Sequence, residues 1–130
     1  MTTNQAFILG TDTAVSFGFM TPQSGPFTVA SLSGTYAGGS LAPVDPSVSN
    51  VVSIAIAGTN TLNVTADVSN ASGLSQSQIV GSTTVPDIHG RVVVTQNGNT
   101  EAGILYLISP SQYFSLAGAG ATARVDMFAQ

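Results

Sequence analysis

The stretch Thr61-Leu62-Asn63-Val64-Thr65-Ala66-Asp67-Val68-Ser69 decides the fold class. Leu62, Val64, Ala66 and Val68 occupy one parity, and Asn63, Thr65 and Asp67 the other. Successive side chains of a strand point to opposite faces, so this alternation is that of a β-strand with one face buried and the other wet. Just upstream, Val52, Ile54 and Ile56 share one parity and are joined to the first run by Gly58-Thr59-Asn60, which makes the two runs a hairpin. Downstream, Val92 and Val94 lead into Asn97-Gly98, two residues that tolerate positive φ and favour a tight hairpin turn. Ile104, Tyr106 and Ile108 are read as the apolar face of the return strand, and another hairpin begins after Ser109-Pro110.

Gly, Pro, Asn, Ser and Thr recur too often for a long helical window, so no helix beyond a turn or two is expected. Strands are predicted over 5–9, 14–20, 31–37, 48–57, 61–69, 76–85, 91–96, 102–108, 112–117 and 123–128. Many short strands at even spacing define an all-β fold. Short connections favour an antiparallel up-and-down barrel, or barrel-like sheet, of about eight to ten strands.

The two ends of the chain resemble each other. Gln5-Ala6-Phe7-Ile8-Leu9 matches Gln112-Tyr113-Phe114-Ser115-Leu116, and the same offset carries Ala14 onto Ala121, Met20 onto Met127 and Gln23 onto Gln130. A closed barrel has one slot for such a hairpin, and the chain supplies two. Residues 26–130 therefore read as a complete eight-stranded module, and residues 1–25 as a surplus hairpin: the tail of a preceding repeat, or strands donated to a neighbour. Phe7, Leu9, Val15, Phe17 and Phe19 would give that hairpin an apolar association face too large to leave in water. The rival reading is one ten-stranded barrel whose terminal hairpins merely look alike.

Of the 130 residues 43% are hydrophobic, ample for a core, and only 6% are charged against the ~25% of an ordinary domain, so Ser, Thr, Asn, Gln and Gly must supply the surface. Two cations, Arg91 and Arg124, within a net charge of -4, cannot make a basic patch, which excludes nucleic acid and anionic membrane as partners. No apolar run reaches the ~18 residues of a spanning helix, and Met1 to Gln5 lacks the basic start of a signal peptide. With no cysteine, zinc-thiolate and disulfide frameworks are unavailable.

Candidates for chemistry are few. His89 is the only histidine, so a catalytic triad would have to be built on it with Asp87 and one of many serines. The segment Pro86-Asp87-Ile88-His89-Gly90 reads instead as a tight turn. Asp12, Asp45, Asp67, Asp87, Glu101 and Asp126 show no metal-loop spacing, with Asp12 and Asp45 in turn-like segments and Asp67 and Asp126 at outward strand positions where a carboxylate is solvated, and no cofactor is implied. The absence of lysine removes Schiff-base chemistry and lysine-based isopeptide crosslinks. Ala117-Gly118-Ala119-Gly120-Ala121 lacks the following helix of a nucleotide loop.

Leu32-Ser33-Gly34-Thr35-Tyr36-Ala37-Gly38-Gly39-Ser40-Leu41-Ala42-Pro43-Val44, His89-Gly90-Arg91-Val92 and Gly103-Ile104-Leu105-Tyr106-Leu107-Ile108-Ser109-Pro110-Ser111-Gln112-Tyr113-Phe114 resemble, in that order, three elements of one module family. The family is the roughly hundred-residue tandem β-repeat modules of uncharacterised exported bacterial proteins, notably of Acidobacteria, with their SGTY, GRG and YxxSPxxF elements. Val92 stands where that family often has glycine. The resemblance implies an extracellular or cell-surface protein without transferable catalytic residues. The expected function is a non-enzymatic, self-associating structural module of a surface layer, adhesin or filament, whose partners are its own copies or neighbouring repeats. The alternative is a lipocalin-like barrel holding a small apolar ligand among its aromatic side chains.

Overall fold

The computed structural model describes residues 6–9, 17–40, 50–117 and 124–130. Ten strands are present among them: β1 (Ala6–Leu9), β2 (Phe17–Met20), β3 (Gly34–Ser40), β4 (Asn50–Gly58), β5 (Thr61–Asn70), β6 (Gly73–Thr83), β7 (Arg91–Gln96), β8 (Asn99–Ser109), β9 (Gln112–Ala117) and β10 (Arg124–Ala129). Strands β3 to β10 close an antiparallel up-and-down barrel in the order of the chain, with β10 pairing back onto β3. Strands β1 and β2 form a separate two-stranded sheet. The described helical structure is a single 3-10 turn, Val29–Ser31, where a strand starting at residue 31 was expected.

The alternation in the opening stretch is realised residue by residue. Leu62 and Ala66 are buried, Val64 and Val68 are half-buried, and Asn63, Thr65 and Asp67 are exposed. Asn60 takes φ 58° in the β4–β5 turn, and Asn97 and Gly98 take φ 50° and 79° in the β7–β8 turn, the left-handed pair that suits the twist of a tight hairpin.

The barrel interior is filled from one end. Tyr36, Tyr113 and Phe128 form a continuous aromatic column: Tyr36 meets Tyr113 edge-on at 4.9 Å, and Tyr113 stacks on Phe128 at 4.9 Å. Small residues face this column, with Ala55 and Ala57 buried on β4 and Gly38 opposite Phe128 on β3. Alternating large and small side chains is how a narrow barrel fills its taper. A strap running from Gln23 to Leu32 covers the same end. Gln23 Nε2 donates to the carbonyls of Leu107 (2.6 Å) and His89 (3.0 Å), and the Ser24 amide donates to the Ile108 carbonyl at 2.8 Å. Phe27 packs onto the core and Leu32 is buried within it. Tyr36 Oη donates to the Pro110 carbonyl at 2.9 Å, tying the aromatic column to the β8–β9 turn.

Ile108 and Leu107 are both buried, which a regular strand forbids for neighbours. A register irregularity between Leu107 and Ser109, together with the strap lying over Ile108, accounts for it. Along β8 the inward residues are Leu105 and Leu107, while Tyr106 is exposed, so the Ile104/Tyr106 face assigned from sequence is the outer one.

The seam between β6 and β7 is short. The two strands pair only at Ser82 with Thr95 and at Thr83 with Val94, whereas β5 pairs with β6 along its whole length from Thr61/Ser82 to Asn70/Gly73. The cause is a length mismatch. β7 has 6 residues, shifts register between Val94 and Gln96, and turns back at Asn97-Gly98, while β6 has 11. β6 consequently overruns its neighbour, and Leu74, Ser75, Gln76, Ser77, Gln78 and Val80 are all exposed.

Candidate functional site

The turn around His89 is built by Asp87. Its Oδ1 accepts from the amides of His89 (2.8 Å) and Arg91 (2.9 Å), and its carbonyl accepts from the Gly90 amide at 2.9 Å. Those amide bonds, led by that from Arg91, hold the Asp87 carboxyl below its ordinary value, because they favour the ionised form. Gly90 takes φ 73°, and a Cβ there would press on the Phe27 ring at 3.0 Å, so the turn is locked against the strap. His89 contributes its main chain, and its side chain is exposed. Among the described residues no hydrogen bond joins the imidazole to a serine or a carboxylate. Asp87 and His89 are thus brought together as a turn.

The remaining acids are dispersed. Asp67 accepts from Gln76 across the β5–β6 pair (3.2 Å), and Glu101 meets Arg91 at 3.5 Å on the surface. Asp126 is buried inside the barrel, where Ser40 Oγ donates to it at 3.1 Å. Asp12 and Asp45 lie outside the described residues. Among the described residues no three His, Asp or Glu side chains converge on a common point.

Beyond the aromatic column, toward the end away from the strap, the interior holds a cavity of about 80 Å³. Leu62, Val64, Val94, Leu105 and Phe128 form its apolar wall, and Ser53, Gln96, Ser115, Tyr113 and Asp126 its polar part. Burial pushes the Tyr113 hydroxyl far above its ordinary value, helped by the neighbouring Tyr36 and Asp126, so it stays neutral and can donate. Ligand pockets commonly span ~300–1,000 Å³, and one water needs ~10–15 Å³ of such space, so this void suits a few waters rather than a lipid-sized guest. The outward, solvated position that the sequence suggests for Asp126 is corrected by the structure: Asp126 is buried, because on β10 it shares the inward parity of the core residue Phe128. Tertiary register sets Asp126 opposite Ser40 and Ser115, two small polar residues on flanking strands.

Of the association face read from sequence, Phe7 and Leu9 lie on β1 and Phe17 and Phe19 on β2, with Phe7 opposite Phe19 and Leu9 opposite Phe17. Val15 lies outside the described residues. The terminal hairpins share strand order but differ in register. The offset that places Phe7 on Phe114 places Phe19 on Asp126, yet Phe114 faces Met127. A one-residue difference of register changes which side chains share a face. Comparison of the chain with protein-family models, with curated proteins and with solved structures finds no match.

Proposed function

We propose that this chain is a non-enzymatic, self-associating structural module of an exported bacterial protein, contributing to a surface layer, adhesin or filament. The observation that carries the reading is the β1–β2 hairpin, with strands Ala-Phe-Ile-Leu and Phe-Gly-Phe-Met, left outside a barrel that closes without it. Apolar strands with open edges are favourable partners for further strands. Two features support the same reading. The cavity is small, and a surface of Ser, Thr, Asn and Gln with little charge offers weak repulsion between copies. The outer side of β5 and β6, with Asn63, Thr65, Asp67, Gln76 and Gln78 exposed, is unlike the apolar band of a lipid-facing barrel.

Sedimentation velocity and native mass spectrometry over a concentration series test it. The full chain is expected to assemble as concentration rises, and a chain lacking residues 1–20 to reach a smaller assembly while keeping its strand circular dichroism. Truncation at residue 20 preserves Gln23 and Ser24, which clamp the strap to β8. A full chain that stays monomeric at every concentration would end this reading.

A further inference from the structure

Resting on that reading, we infer that the outer edge of β6, from Gly73 to Gly81, is a strand-addition site, and that its occupant is the same edge of a second copy, paired antiparallel. On one side β6 is bonded to β5 throughout. On the other, β7 pairs with Ser82 and Thr83 and lies against Gly81, so among the described residues no strand pairs with the outward main-chain N–H and C=O groups of alternate residues between Gly73 and Gly81. Exposure is extreme there: Leu74 is 79% and Val80 69% accessible.

Folded proteins usually protect such an edge with lysine, proline, a bulge or an inward charge. The edge sequence Gly-Leu-Ser-Gln-Ser-Gln-Ile-Val-Gly holds no lysine, no proline and no charge. Leu-Ser-Gln-Ser-Gln-Ile-Val combines strand propensity, zero charge and polar side chains able to ladder with one another, the composition of segments that pair with their own kind. It is an edge built to be filled.

Length selects the occupant. Nine residues of strand span ~30 Å, and each strand of the β1–β2 hairpin, at 4 residues, covers ~13 Å. A strand that saturates the whole edge must itself be extended, uncapped and about nine residues long, and among the described residues β6 alone offers that. Charge agrees, because two uncharged edges meet without repulsion. Antiparallel pairing of identical edges generates a two-fold axis, the commonest symmetry of homo-oligomers. The hairpin and the β6 edge then give each subunit two distinct contacts, which growth beyond a dimer requires.

The test uses the full chain and a Ser75→Lys/Ser77→Lys variant, which places charge on two exposed edge residues, with Thr35→Lys/Ala37→Lys on β3, which pairs with β4 and β10, as an equally charged control away from the edge. Amide exchange is followed by NMR over a concentration series, with circular dichroism verifying the fold of each variant. In the full chain, alternate amides between Leu74 and Val80 are expected to slow at least tenfold from the lowest to the highest concentration. That slowing should be lost in the edge variant and kept in the control. Isotope-filtered contacts between labelled and unlabelled copies should join the 74–80 segments to each other. Exchange at 74–80 that is independent of concentration, slowing that survives in the edge variant, or intermolecular contacts from 74–80 to β1 or β2 would each overturn the inference. If the edge variant assembles as the full chain does, the edge is wrong and the self-association reading stands; a full chain that is monomeric throughout removes both.

Discussion

Replacing Gly38 with alanine tests the closure of the barrel. Gly38 sits on β3 opposite Phe128, at the seam where the last strand returns to the first of the ring. A Cβ at Gly38 would lie 2.8 Å from both the Met127 carbonyl carbon and Phe128 Cα, and closer still to the Met127 carbonyl oxygen. All three atoms are main chain, so no side-chain rotation relieves the contact; β10 itself must move. Overpacking of a tight site costs about 1–3 kcal/mol, and a main-chain clash inside a closed ring belongs at the upper end. The loss of glycine's unfolded freedom returns about 0.5–1 kcal/mol, leaving a net loss of about 2–2.5 kcal/mol. For a domain of this size each kcal/mol moves the melting temperature by about 3–5 °C, so Gly38→Ala should melt roughly 6–12 °C below the parent. Gly103→Ala is the matched control. Its Cβ would meet Leu116 O at 3.5 Å and Val94 Cβ at 3.8 Å, ordinary contact distances, and it would project into the cavity margin. That variant should melt at or a few degrees above the parent, at about 0.5–1 kcal/mol of entropic gain. Thermal unfolding followed by circular dichroism reads both. A Gly38→Ala protein melting within ~2 °C of the parent would refute the close approach of β3 to β10.

Tyr36→Phe removes the hydrogen bond to the Pro110 carbonyl without altering the aromatic column, and should lower stability by about 1 kcal/mol in a urea titration at unchanged m. His89→Ala should change stability by less than ~0.5 kcal/mol, because the turn uses only its main chain; a larger loss on a denaturant curve would give the imidazole a role. The lowered value of Asp87 means that its contribution is fully present above its ordinary value of 3.8 and is lost as pH falls through the lower folded value. Asp87→Asn should remove that part of the acid dependence, and NMR of the Asp87 carboxyl should find it titrating below 3.8.

Sequence periodicity exposed the strands wherever one face is wet. In β5 the alternation of Leu62, Val64, Ala66 and Val68 with Asn63, Thr65 and Asp67 is the burial pattern itself. It failed in β8, where Ile104 to Ile108 is an unbroken apolar run, and only the bulge at Leu107/Ser109 and the strap decide which residues turn inward. It failed again at residue 31, because the 3-10 turn is held by tertiary packing of Leu32 and by the Thr28 amide bonding Ser31 Oγ at 2.9 Å. Asp87 was legible as turn chemistry because an Asx bond is local. The buried pairing of Asp126 with Ser40 joins residues far apart in the chain, and no local pattern encodes it. The overrun of β6 past β7 belongs to the same class: it follows from the relative lengths of two strands, and the reading that began β6 at residue 76 concealed it.

The two ends of the barrel do different physical work. At the strap end Tyr36, Tyr113, Phe128, Leu32 and Phe27 bury large surfaces, and Gln23, Ser24 and Tyr36 join the strap, the β8–β9 turn and the core into one hydrogen-bonded assembly. At the far end the packing thins into a small cavity, and beyond it β6 runs on, exposed on both faces. Stability concentrated at one end frees the other end to carry open strand edge without weakening the fold, since substitutions at exposed β6 positions remove no core contact. An edge that contributes little to the monomer and yet carries none of the usual protections costs a solitary protein aggregation resistance and gains it nothing. In a module that works beside copies of itself, the same edge is a contact, which is why its unprotected state weighs toward assembly and away from a solitary binding protein.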